Sequence, residues 1–379
     1  MRIRKGKITL ITALTISLVL LLNVVCFATT ITNPAIDPVA TSDSITVVDA
    51  TFDPTVIDPT SFDTYYPSSI TPLPGGGESV NFIINGVTNS YPIPPNNFNP
   101  KKATNEQLAE YGLPLRPSDP NLQKDWENQL KNFKKAVKPS KAYVKKNSTA
   151  SPYSTQTGSN WAGIVNCTNT SYLSGGATDK TGLFQYVTGT FIQPVISNVS
   201  SIKQACIWVG IGGCVEYQPL LQCGTMANAN PVYPGTYYAF YENISSIEPN
   251  LAVAMSVSVN AGNSISASVI YDPNTYVTNF RVSSNGIYSL AKVDYSINFY
   301  YGGTAEWIVE RPKYNGMPTD LADFTQVNWS GCYTYTNITN VGSTAGVSYP
   351  MGNNVMAVYT MTNASPINVT ATTFSLKHN

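Results

Sequence analysis

Two side chains in this 379-residue chain have a type and setting suited to acyl chemistry: Glu306 and Gln222. Glu306 lies in AEWIVE (305–310), whose aromatic and β-branched residues read as a strand. A strand alternates faces, so Glu306, Ile308 and Glu310 point one way and Trp307 and Val309 the other. A carboxylate there could act as general base and acid. Gln222 follows Pro219-Leu220-Leu221 and precedes Cys223-Gly224. A buried amide needs hydrogen-bond partners, and its NH2 can donate to a developing oxyanion. Each residue also has an ordinary reading. Glu306 fits the solvent face of an antiparallel strand, and Gln222 fits a satisfied core position.

Most other catalytic chemistries are excluded. The one histidine is His378, next to the C-terminus. A Ser–His–Asp or Cys–His system needs an imidazole inside the site, and a penultimate residue is a poor candidate. HExxH zinc sites, Gly-rich phosphate loops and dinucleotide fingerprints do not occur. Asp-Thr-Gly and Asp-Ser-Gly are missing too, so paired aspartates have no support. A hydrolase built from this sequence would use a carboxylate for proton transfer.

The composition suits an extracellular all-β protein. Charged residues are 12% of the chain, against about 25% ordinarily. Formal net charge is zero, which gives no bias toward nucleic acid or membrane. Residues 1–28 read as a signal peptide: MRIRKGK carries four positive charges, an apolar core follows, and Cys26-Phe27-Ala28 offers a cleavage site. The mature chain is then expected to be secreted, with no stable membrane association. Its five cysteines are 167, 206, 214, 223 and 332, an odd number without a CxxC pair.

Three regions follow. Residues 29–94 are rich in Thr and Pro and read as low-order, except for a hairpin at 80–91 with an Asn-Gly turn. Residues 95–157 read as a basic helical pro-segment and linker. Thr104 is its first N-cap, Gln107 the capping-box partner and Gly112 the stop. Apolar residues at 122, 126, 130, 133 and 137 predict a second, amphipathic helix. Residues 95–149 hold eleven Lys/Arg and five Asp/Glu, whereas 150–379 hold seven and ten. A basic segment thus precedes an acidic body, which fits either a solvated helical linker or an inhibitory segment held by charge and released in acid. Residues 158–379 carry short strands about every ten residues and predict a β-sandwich or closed barrel.

In chain order, several stretches resemble the eqolisins, the glutamic peptidases: SNWAG (159–163), VTGTFIQP (187–194), WVGIGG and LLQCG (208–224), YYAFYE (237–242), AEWIVERP (305–312) and LADFTQVNW (321–329). The resemblance implies a concanavalin- or jelly-roll-like sandwich of two antiparallel sheets. It implies an acid-acting secreted endopeptidase that uses no metal or cofactor, acts on protein or peptide substrates and carries an intramolecular pro-segment. It maps a catalytic dyad onto Gln222 and Glu306, and cleft residues onto Trp161, Trp208, Tyr241 and Glu242. A glutamate ordinarily ionises near pH 4.3, which suits acid. Three departures stand out: Gly212 and the run Thr225–Asn228 lack the family's aspartates, and Phe240 replaces a tryptophan. A monomer without nucleic-acid partners is expected. The alternatives are a carbohydrate-active sandwich and a non-catalytic binding module. Glu306 and Glu310, about 13 Å apart along one strand, do not suit a retaining glycosidase pair.

Overall fold

The Lys203–Gly212 strand, KQACIWVGIG, shows how the sequence builds this fold. Its odd-numbered residues Ala205, Ile207, Val209 and Ile211 enter one apolar cluster, while Cys206 and Trp208 enter another. Strict alternation thus gives a sheet with two apolar faces. The computed structural model describes residues 43–56, 61–116, 120, 123–146, 160–167, 184–197, 202–213, 219–229, 235–244, 251–272, 275–295, 302–314, 317–336, 347–350, 355–359, 364–370 and 372–378. All of them fall within one unit, Ser42–Asn379. The expected signal segment and most of the linker after Lys146 lie outside the described residues.

Two large sheets pack face to face. The first, of ten strands, runs Phe62–Tyr65, Ala142–Lys145, Leu251–Ala254, Thr236–Ile244, Leu220–Ala229, Lys203–Gly212, Thr304–Glu310, Trp161–Cys167 and Val355–Tyr359, with Asp320–Leu321 alongside Lys203–Gly212. The second, of thirteen, centres on Phe184–Ile192, Ser264–Tyr271, Val277–Ser284 and Ile287–Asp294. Ile207, Val209, Trp307 and Val309 from the first sheet share a core with Val187, Phe191, Val269 and Phe280 from the second. Trp307 Nε1 also donates to the Thr188 carbonyl at 2.8 Å, so even the indole's polar atom is satisfied across the layer. The expected sandwich of antiparallel sheets is therefore what this sequence forms.

The N-terminal third differs from its expected organisation. The hairpin forms as expected, with Asn85 and Gly86 at φ 50° and 87° joining Glu78–Ile84 to Val87–Ile93. The described residues within 46–93 are not low-order, however. They supply five strands, and the hairpin extends the second sheet by pairing with Ile287–Asp294. The first helix, Asn105–Glu110, has the expected capping box between Thr104 and Gln107. The second stops at Leu130, short of the expected 137. Phe133 instead packs edge-on against Tyr288, and Lys135–Lys138 becomes a strand parallel to Thr46–Asp49. Strand pairing here outweighs a helical apolar period, as tertiary context often does.

Attachment of the basic segment also differs from expectation. Four of its lysines pair with carboxylates in the N-terminal region itself: Lys101–Asp43, Lys138–Glu78, Lys141–Asp53 and Lys146–Asp63. Exposed pairs of this kind contribute little to stability, because solvent and salt screen them. Docking onto the second sheet comes from apolar packing of Leu108, Tyr111, Trp126 and Phe133 with Tyr288 and Leu290. Arg281 and Lys292 of that sheet then donate to the Gly112, Ala109 and Glu110 carbonyls.

Candidate active site

Glu306 and Gln222 lie in one row of the first sheet. Gly210 is directly opposite Glu306 on one side and Gln222 on the other. Directly opposed residues point to the same face. Gly210 carries no side chain, so Glu306 and Gln222 stand one strand apart on either side of it, with the Trp208 ring edge and Leu220 filling the space above it. Their Cα atoms are two strand spacings apart, about 10 Å. The row continues to Val165 beside Glu306 and to Glu242 beside Gln222. Glycine is required at 210: an added Cβ would lie 2.7 Å from Trp208 Cζ3 and 2.9 Å from Leu220 Cδ1.

The next rows of the same face hold the tryptophans. Trp208 meets Trp161 edge-on, with ring centroids 5.0 Å apart. Trp208 Nε1 donates to Glu310 Oε2 at 2.9 Å, and Asn160 Nδ2 donates to Glu310 Oε1 at 3.1 Å. Glu310 thereby fixes the indole whose ring edge lies over Gly210. Gln222 Nε2 donates to Glu242 Oε2 at 2.8 Å. Burial pushes the Glu242 carboxyl up to about 7, against the opposing pull of the Gln222 hydrogen bond and the Lys145 charge.

This face is covered. Glu306 is 0% exposed, Gln222 2% and Glu242 8%. Part of the cover comes from the N-terminal region: Phe62 and Tyr143 belong to the apolar cluster on this face, and Phe52 packs against it. Phe62 stands edge-on to Tyr238 at 5.6 Å, and Phe52 stacks on the same ring at 6.2 Å.

Five of the six expected site residues thus share one face: Glu306, Gln222, Trp161, Trp208 and Glu242. Tyr241 does not join them. As the strand neighbour of Glu242 it must point the opposite way. Its ring stacks on Phe280 in the inter-sheet core, and its hydroxyl donates to Asn89. Gly210, Glu310 and Asn160 were not anticipated. Alternation did place Glu310 on the Glu306 face, but its partner Trp208 is 102 positions away, a pairing no local pattern reveals. At one departure from the eqolisin pattern, Gly212 sits at φ 88°, where an aspartate would be strained.

Solved structures with similar chain traces include three peptidases. Scytalido-glutamic peptidase with a peptide-based transition-state analogue is 20% identical over 58% of this chain and 98% of that one, with a TM-score of 0.45. SCP-B, a member of the eqolisin family in complex with the tripeptide Ala-Ile-His, is 21% identical over 58% and 98%, at 0.43. Aspergilloglutamic peptidase from Aspergillus niger is 20% identical over 47% and 99%, at 0.38. No curated protein sequence matches. Residues 159–373 match the model of the Peptidase A4 family, and the chain belongs to that family, the glutamic peptidases.

Proposed function

We propose that this peptidase is a secreted endopeptidase that works in acid through Glu306 and Gln222. The observation that carries the proposal is the shared register of the two side chains on either side of Gly210. Once the Trp208 ring edge moves off Gly210 to admit substrate, the Glu306 carboxylate takes a proton from water, and the water oxygen attacks the peptide carbonyl carbon. The carbonyl electrons move to oxygen, where the Gln222 NH2 donates a hydrogen bond. Glu306 then gives its proton to the leaving nitrogen as the C–N bond breaks. Trp208 and Trp161 form the apolar wall beside the reacting centre.

The buried dyad belongs to a latent form. Phe52, Phe62 and Tyr143 help to close the face, and the Lys145 charge acts on Glu242. The N-terminal region therefore serves as an intramolecular pro-segment, and KKNSTASPYSTQTG (145–158) is the region proposed for activating cleavage. The basic n-region and apolar core at the start of the chain support export. The working enzyme is a monomer that acts on unfolded protein or peptide.

Secreted, processed protein incubated with denatured casein or haemoglobin at pH 2–7 tests this reading. Cleavage confined to the acid range is expected. No cleavage at any pH by folded, processed protein would overturn it in favour of a binding module.

A further inference from the structure

We propose that Glu242 is a positioning residue for this reaction: its carboxyl holds the Gln222 amide so that an N–H faces the Glu306 side, across Gly210. The inference rests on the Glu306–Gln222 reading of the site. A side-chain amide can turn over and exchange its oxygen for its nitrogen, and only one orientation presents a donor to an oxyanion. Gln222 Nε2 donates to Glu242 Oε2 at 2.8 Å, while Gln222 Oε1 receives no hydrogen bond from any described residue. Glu242 is therefore the contact that decides which way the amide faces. Glu242 lies directly across from Gln222 on the side away from Gly210. One N–H is held there, and the other diverges from it by about 120° in the planar amide. Both residues are buried, so the hydrogen bond is stronger than it would be in water.

The protonation state of Glu242 matters to an oxyanion nearby. The groups around it are the neutral Gln222 amide, Ala252 on the adjoining strand, the Lys145 cation, and the Cys206 and Tyr238 side chains, whose own ionisation burial and the Glu242 charge oppose. Glu306 and Glu310 share the face but stand beyond Gly210 and in a separate row. With the N-terminal region docked, burial raises the Glu242 carboxyl to about 7; processing removes the Lys145 cation that opposes this shift, and part of the cover that causes it. In its neutral form the carboxyl still offers an acceptor oxygen to Gln222 Nε2 and adds no negative charge. Once ionised, a carboxylate beside the forming oxyanion raises the transition state. A carboxylate base alone would give activity that rises with pH and levels off. Glu242 supplies the second ionisation that an upper limit requires.

The test is steady-state kinetics of the processed protein on one peptide between pH 3 and 8, with Glu242→Leu, Glu242→Gln and Gln222→Ala. Glu242→Leu is expected to lower kcat about 30-fold, a partial loss of the oxyanion donor, with KM within about twofold. Glu242→Gln offers an uncharged acceptor. It is expected to recover most of that loss in acid and to lack the fall in activity at high pH. A folded Glu242→Leu variant with wild-type kcat, or with its whole defect in KM, would overturn the proposal. Should that variant not fold, an unchanged high-pH limb in Glu242→Gln would overturn it instead. A fully active Gln222→Ala would mean that the dyad reading itself fails. An inactive Gln222→Ala beside an active Glu242→Leu would remove the positioning role alone.

Discussion

Glu306→Gln is expected to lower kcat about 10³–10⁴-fold while leaving KM nearly unchanged, because general base catalysis is worth up to about 10⁴ and acts only in the transition state. The substitution keeps size, shape and hydrogen-bonding capacity but removes the group that accepts the water proton. Its neighbours in the row are Gly210 and Val165, neither of which can take over proton transfer. Glu310 is the next carboxylate on this face, but its oxygens already accept from Trp208 and Asn160. The chain's one histidine is His378, on the second sheet. Substrate binding should survive, since the tryptophans and the strand backbone are untouched. Matched circular dichroism and melting curves for the two proteins would separate chemistry from folding. A Glu306→Gln protein within tenfold of wild-type kcat would contradict the assignment.

Arg281→Ala is expected to cost about 3 kcal/mol of stability and to loosen the N-terminal region, since it leaves buried acceptors unsatisfied and opens a cavity. Arg281 is 3% exposed, on the face of the second sheet that carries the helices. Its Nε donates to Ser268 Oγ at 2.8 Å, and its Nη1 donates to the Gly112 carbonyl at 2.6 Å. Its guanidinium also stacks against Phe133 and Tyr186, 5.5 and 5.8 Å from the ring centroids. Two of these partners, Gly112 and Phe133, belong to the N-terminal region, so undocking would break those two contacts and leave the Ser268 and Tyr186 ones. Lys292 reinforces the contact by donating to Ala109 and Glu110 at the end of the first helix, where the helix dipole favours a cation. Burial brings the Lys292 ammonium down to about 8, with the nearby Glu110 opposing the shift. A depressed lysine favours docking as pH rises, across the window from about 8 to about 10.4. Below that window Lys292 is protonated whether docked or free, so acid does not weaken this contact. The Lys292 contact with the end of the first helix should therefore persist at pH 4 in wild type. In Arg281→Ala, hydrogen exchange should show faster amide exchange across 105–138, alongside a lower urea midpoint. Unchanged exchange and midpoint would mean that apolar packing alone holds the region.

What could be read from the sequence follows from the range of each physical signal. Face alternation is local, so AEWIVE showed which side chains share the Glu306 face before any partner strand was known. The Asn85-Gly86 turn and the Thr104–Gln107 capping box are local too, and both are present. The end of the second helix was not legible. Its apolar period runs on through Phe133 and Val137, and only the distant strands Thr46–Asp49 and Ile287–Asp294 draw that segment into a sheet. The strands of residues 46–72 were obscured for the same reason: their sequences are polar and Pro-rich, and pairing partners supply their order. At the site, Gln222 and Glu306 were legible as residue types, but Gly210 between them was not. The register of three strands decides it, and a slip of one residue would have turned every side chain to the other face. Tyr241 was misplaced because the resemblance covers a whole segment, whereas alternation sends Tyr241 and Glu242 to opposite faces.

A carboxylate base is common to many hydrolases, and the amide opposite it is what would distinguish the proposed site. The most direct measurement is therefore kcat for processed Gln222→Ala protein beside processed wild type on a single peptide near pH 4, with KM determined in the same experiment. The structure predicts a fall of about 10²–10³ in kcat, the usual cost of losing an oxyanion donor, with KM within about twofold. A Gln222→Ala protein that folds normally and keeps kcat within threefold of wild type would contradict a Glu306–Gln222 dyad.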